Sequence, residues 1–235
     1  MCGRYMRGGK VSDRKSLRNK LRSVDRLLEK EYGTPKRRRI DPLDELILTI
    51  LSQNTNDRNR DRAFSAMRQA FPTWEDVMNA PRARLEKVLR PGGLAKTKSG
   101  RIQKILRSIA KRGPLNLDYL RRLPTEGVET ILESFDGVGP KTARCVLLFS
   151  LGREAFPIDT HIFRVLKRVG IIPAGMNAAK AHQYVPQLVP EGRSYVLHLN
   201  IIRHGRTVCH ARNPDCEGCV IRRHCAYYAT MSERR

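Results

Sequence analysis

Leu132-Glu-Ser-Phe-Asp-Gly-Val-Gly-Pro-Lys-Thr-Ala-Arg-Cys-Val-Leu-Leu148 places a short glycine turn, Gly137-Val138-Gly139, between two stretches of helical character. Glycine enters left-handed backbone conformations without steric cost, and proline suits the first turn of a helix, so the segment reads as helix, tight turn, helix. A turn of this kind lets backbone N–H groups approach a phosphate closely. It occurs in many DNA-binding proteins that catalyse nothing. Lys141 opens the second helix beside the turn and can either contact phosphate or act as a nucleophile; the turn by itself does not separate the two.

Upstream, Asp41-Pro42 supplies an N-cap followed by proline at the first helical position. Leu43, Leu46, Ile47, Ile50 and Leu51 then recur at helical spacing, which predicts a strongly buried helix. Its end runs into the amide-rich segment Ser52-Gln-Asn-Thr-Asn-Asp57. Leu17, Leu21, Val24, Leu27 and Leu28 predict another helix, ended by Gly33-Thr-Pro35. Further helices are expected around 58–70, 74–79, 82–89, 99–112, 116–122, 126–134, 141–151, 160–169, 177–188 and 193–205. No run alternates with period two, so the fold class is all-α. Residues 1–16, rich in cations and glycine, are expected to form a flexible basic arm.

The chain of 235 residues is long enough for one large domain or two small ones. Its formal charge of +23 exceeds that of an ordinary solvated surface and points to a polyanion partner. Residues 1–40 carry 14 Lys/Arg against 4 Asp/Glu, which leaves +13 on the remainder, so the folded body is basic as well as the arm. No apolar run is long enough for a membrane span or a secretory signal, which implies a cytoplasmic, nucleoid-associated protein with no membrane partner. Four of six cysteines crowd together as Cys209-x6-Cys216-x2-Cys219-x5-Cys225, whereas Cys2 and Cys145 stand apart as expected free thiols. In a reducing compartment such crowding favours metal over disulfides, and the spacing admits zinc or an iron-sulfur cluster. His210 and His224 are expected at the surface.

Taken together, these segments resemble the endonuclease III-like DNA glycosylases of the helix-hairpin-helix superfamily, over about residues 17–228 and in the family's order. The resemblance implies a [4Fe-4S] cluster on Cys209, Cys216, Cys219 and Cys225, and anion contact by Gly137, Val138 and Gly139. It makes Lys141 the nucleophile. Asp159, in Phe156-Pro-Ile-Asp-Thr-His-Ile-Phe-Arg-Val165, becomes the second catalytic residue; it also reads as an ordinary N-cap, and the two roles are compatible. The segment Leu51–Asp57 resembles the family's Leu-Ser-x-Gln-x-Thr-Asp loop, which fills the space left by a flipped nucleotide. Asn54 stands at the glutamine position, with Gln53 beside it. Gly93-Leu-Ala-Lys-Thr-Lys-Ser99 resembles the wedge segment, with Leu94 as wedge and Lys96 and Lys98 as phosphate ligands. Arg212, and Arg206 with it, would meet phosphate from the cluster loop. One departure stands out, Asp136 where the family usually has proline.

The architecture implied is a helical barrel at 41–153 and a second helical domain from 17–40 plus 154–235, flanking a DNA-binding cleft. The implied function is bifunctional: a monomeric glycosylase and abasic-site lyase of base excision repair, acting on oxidised pyrimidines in damaged double-stranded DNA. The alternatives are a mismatch or adenine-type glycosylase on the same scaffold, and a non-catalytic DNA-structure-binding protein. Adenine glycosylases carry a further C-terminal domain, for which no residues remain after Tyr228.

Overall fold

The computed structural model describes residues 14–232, and these fall into two compact units. One runs up to Pro35 and resumes at Ile158; the other, Lys36–Pro157, is inserted between its parts. The basic arm expected over 1–16 lies, as far as residue 13, outside the described residues, as does Cys2; Arg14 to Ser16 are already helical. Among the described residues no helix is long and apolar enough to cross a membrane.

In the inserted unit the helices are α2 (Pro42–Leu51), α3 (Asp57–Ala70), α4 (Trp74–Asn79), α5 (Arg82–Leu89), α6 (Ala95–Ala110), α7 (Thr125–Glu133) and α8 (Pro140–Cys145), counting from α1 (Arg14–Tyr32) of the other unit. Helix α2 is central, packing against α3, α6 and α8. Leu43, Leu46, Ile47, Ile50 and Leu51 are all fully buried, as expected for a helix apolar around most of its circumference. Asp41 caps it, its carboxylate accepting from the Leu43 and Asp44 N–H groups at 2.8 and 3.1 Å. Helix α8 continues into a π turn at Val146–Ser150. Residues Asp118–Arg122 form a 3-10 turn in place of the expected helix.

The other unit holds α1, α9 (Thr160–Val169), α10 (Ala178–Tyr184), α11 (Ser194–Thr207) and α12 (Ala226–Ser232). Helix α11 packs on α1 and α9, and α12 packs on α9. The apolar face of α1 (Leu17, Leu21, Val24 and Leu28) is buried here, in the unit that the chain rejoins at Ile158. Arg193 fastens it. The guanidinium donates to Asp25 at 2.6 and 3.2 Å and to Glu29 at 2.6 and 3.2 Å, a paired fork that fixes orientation as well as charge. Those bonds hold the Glu29 carboxyl below its ordinary range. The expected helix over 177–188 breaks into α10 and a 3-10 turn at Val185–Leu188, because Pro186 supplies no N–H.

Candidate active site and cluster loop

The hairpin forms as its glycines require. Helix α7 gives way to Phe135, which is buried, and Gly137 takes a φ of +73°, open to glycine at no cost. The Val138 N–H returns to the Phe135 carbonyl at 3.1 Å and its side chain is buried, which pins the turn. Gly139 is extended and serves as N-cap of α8; its carbonyl accepts from Thr142 and Ala143. Among the described residues the Gly137 and Gly139 N–H groups make no hydrogen bond within the protein, and two such donors on one turn suit an anion. Asp136 is exposed and paired with Lys104, its carboxylate accepting from Nζ at 3.3 Å, so the unusual carboxylate beside the turn carries its own countercharge.

Lys141 lies in the first turn of α8, partly exposed. Within electrostatic reach of it is Glu45, on the neighbouring α2 and only 7% exposed. The Glu45 carboxyl accepts from the Thr49 hydroxyl at 3.0 Å. Burial pushes it up to about 7, against weaker opposing effects of Thr49, Lys141 and Arg60. Nothing in the sequence reading singled out Glu45. The available signal was an acidic residue on the inward face of an otherwise apolar helix.

The amide segment after α2 is braced against the hairpin. Arg101 donates to the Gln53 side-chain oxygen at 2.6 Å, and the Gln53 amide donates to the Gly137 carbonyl at 3.4 Å. Arg101 lies so close over Gly137 that a Cβ there would collide with it. Gln53 is therefore engaged inside the unit, whereas Asn54 is exposed at a φ of +52°, a region asparagine tolerates better than most residues. The second turn has the same character. Gly93 and Leu94 have φ of +68° and +49°, and the Leu94 side chain is 53% exposed. An apolar, left-handed, solvent-facing leucine is costly twice over. Because Leu94 interrupts the helical backbone, α6 starts immediately after it, four residues before the expected start at 99.

Lys96 is exposed, as a phosphate ligand must be. Lys98 is not, and its expected phosphate contact is corrected here. It is 1% exposed, with its ammonium donating to the Leu51 and Gly92 carbonyls at 2.7 Å each. A charge spent on two internal carbonyls in a dry environment has no route to a phosphate.

Asp159 begins α9 in the other unit. Its carboxylate accepts from the Ile162 N–H at 2.7 Å, so it is the N-cap. In the same unit Cys209, Cys216, Cys219 and Cys225 line one cavity, none of them in a disulfide. Burial pushes the Cys219 thiol up to about 11, and the neighbouring cysteines add to it. Such a set wants a cation. Four cysteines around a shared cavity, none of them in a disulfide, fit a multi-atom cluster. Arg168 donates to Cys209 Sγ at 3.3 Å, and His204 Nε2 lies 3.5 Å from Cys219 Sγ, with its Nδ1 3.0 Å from the Tyr32 hydroxyl. Neither contact was anticipated, since both partners come from distant helices. His210 and Arg212 are exposed; His224 is half-buried.

The chain belongs to the HhH-GPD superfamily of base excision DNA repair proteins, whose profile matches residues 47–191. The iron-sulfur binding domain of endonuclease III matches residues 209–225. A protein of Arabidopsis thaliana named as a DNA glycosylase is 41% identical over 165 residues, covering 70% of this chain; the match spans 56% of that protein's length. Endonuclease III of Sulfolobus acidocaldarius is 31% identical over 78% of this chain and 81% of its own. Among solved structures, a non-covalent endonuclease III–DNA complex superposes with a TM-score of 0.77 at 24% identity, covering 92% of this chain and 98% of that one, which establishes the fold.

Proposed function

We propose that this protein is a bifunctional glycosylase and abasic-site lyase acting on oxidised pyrimidines in duplex DNA. The observation that carries the reading is Lys141, partly exposed in the first turn of α8 beside the two unpaired hairpin N–H groups. Those donors hold a backbone phosphate, and the lysine stands next to the sugar that the phosphate carries. Asn54 and Leu94 face the duplex, with Lys96 as a phosphate ligand, while the damaged nucleotide is turned out of the stack.

The neutral Lys141 amine attacks C1′ and the glycosidic bond breaks, the base leaving with the electron pair. Ring opening gives an imine between Nζ and C1′. Loss of a C2′ proton then expels the 3′ phosphate oxygen, cutting the strand 3′ to the lesion. Only an amine can form that imine. Asp159 opposes the positive charge that develops on the sugar. Cys209, Cys216, Cys219 and Cys225 would hold the cluster in its four-iron form, and it would supply a cross-link that shapes the loop bearing Arg212. No electron from it enters these steps.

Borohydride added to the protein with a thymine-glycol duplex tests the reading. A covalent protein–DNA adduct and a β-elimination product are expected. Base release with neither would make the protein a glycosylase without lyase activity and remove the nucleophile from Lys141. Asp159→Asn is expected to slow excision about 10²-fold or more. Asparagine caps helices as well as aspartate, so stability should stay within about 0.5 kcal/mol. Equal excision, or a matching loss of stability on thermal melting, would reduce Asp159 to a cap.

A further inference from the structure

Among the described residues only three non-glycine residues have positive φ: Asn54, Leu94 and Asn213. The first two follow, by two or three residues, the two carbonyls that receive the Lys98 ammonium. Leu51 is the last residue of α2, and its carbonyl is one of those a helix C-terminus leaves without an internal N–H partner. Gly92 closes the 3-10 turn that leads into Gly93 and Leu94. The Lys98 N–H also returns to the Leu94 carbonyl at 2.9 Å. One buried residue thus reaches the base of both strained turns, although their carbonyls are 41 positions apart in sequence. Strained backbone of this kind persists only where its surroundings over-determine it.

From this geometry we infer that Lys98 is a positioning residue, a buried tie that sets the spacing between the Asn54 and Leu94 turns so that both enter the duplex as one rigid reader. This rests on the reading above, in which those turns meet DNA. An ammonium suits the task better than a neutral donor. Its bonds to carbonyls are charge-assisted, and in a dry setting they are not exchanged for water. The Gln53–Arg101–Gly137 brace fixes the same amide turn against the phosphate-binding hairpin, so the turn is held on two sides.

The test uses the full chain, with Lys98→Met alone, Leu94→Ala alone and the two combined. Binding to undamaged duplex is measured against salt. Lys96→Met, removing a phosphate ligand, should lower the slope by about one, whereas Lys98→Met should leave it unchanged. Single-turnover excision from a paired lesion should fall about tenfold for Lys98→Met and for Leu94→Ala. The double variant should be no more than about twofold slower than Lys98→Met, since a wedge that is already misplaced has little left to lose. For Lys98→Met, cleavage of a single-stranded abasic oligonucleotide, which needs no wedge, should match wild type. Additive losses in the double variant, a lowered salt slope for Lys98→Met, or equal slowing on the single strand would overturn the inference. If Lys98→Met does not fold, Lys98→Gln, which keeps two N–H donors without charge, is read in the same way. Failure of wild type to cut abasic DNA would instead remove the lyase reading itself.

Discussion

Lys141→Gln is expected to lose borohydride-trapped adduct altogether and to cut abasic duplex at least about 10³-fold more slowly than wild type. Glutamine has a similar reach and helix propensity, so α8 and the hairpin should be undisturbed and the melting temperature nearly unchanged. Its amide cannot form an imine. The hairpin donors remain, as do Lys96 and the other exposed cations, so undamaged duplex should still bind with a modest loss and a salt slope at most about one lower. Retained binding with abolished trapping is the signature of a nucleophile. The opposite pattern, in which trapping survives and affinity falls, would make Lys141 a phosphate ligand and send the search for the amine elsewhere in the chain.

Glu45→Gln should stabilise the protein at pH 8 and do little at pH 4. The Glu45 carboxyl, buried in α2, is raised to about 7 from an ordinary 4.5. The folded chain therefore keeps a proton that the unfolded chain releases above about pH 4.5. Stability falls as the pH climbs from there through 7, and above 7 the cost is fully present. A shift of this size corresponds to an upper bound of about 3 kcal/mol. Glutamine can still accept from Thr49 and never ionises, so the variant escapes the cost. Thermal melting of both proteins from pH 4 to 8 should show curves that meet at low pH and separate by several degrees at high pH. Parallel curves would mean that the carboxyl is not buried as described. A destabilising acid kept within reach of Lys141 is what functional sites commonly retain at the expense of stability.

Much of this is legible in the amino-acid sequence. The periodicity of α2 and α9, their Asp41 and Asp159 caps and the cysteine spacing are local patterns, and local patterns survive translation into structure. The misreadings share a different origin. Lys98 sits in Gly-Leu-Ala-Lys-Thr-Lys-Ser, a segment polar enough to pass for surface, and its burial is decided by the Leu51 carbonyl 47 residues away. Glu45 follows Asp44 in the first turn of α2, where acidic residues are ordinary complements to the helix dipole, and only its burial in the packed unit makes it unusual. Helix α12, Ala-Tyr-Tyr-Ala-Thr-Met-Ser, has no apolar period of its own and depends on α9. The His204 and Arg168 contacts with cysteine sulfur likewise join helices to a loop that no spacing rule connects.

The placement of α1 bears on how the chain is made. On the ribosome this helix emerges before the inserted unit, yet Arg193, which clasps Asp25, is translated 168 residues later. At roughly 5–20 residues per second the delay is on the order of ten to thirty seconds. Until Ile158 is made, Leu17, Leu21, Val24 and Leu28 have no further surface of their own unit to cover them, while the inserted unit, contiguous from Lys36 to Pro157, can complete its core and close. Assembly then proceeds from the middle of the chain outward. A helix made before the inserted unit is thus among the last to find its place, and a polypeptide released before α11 is made would leave the ribosome with that apolar stripe bare.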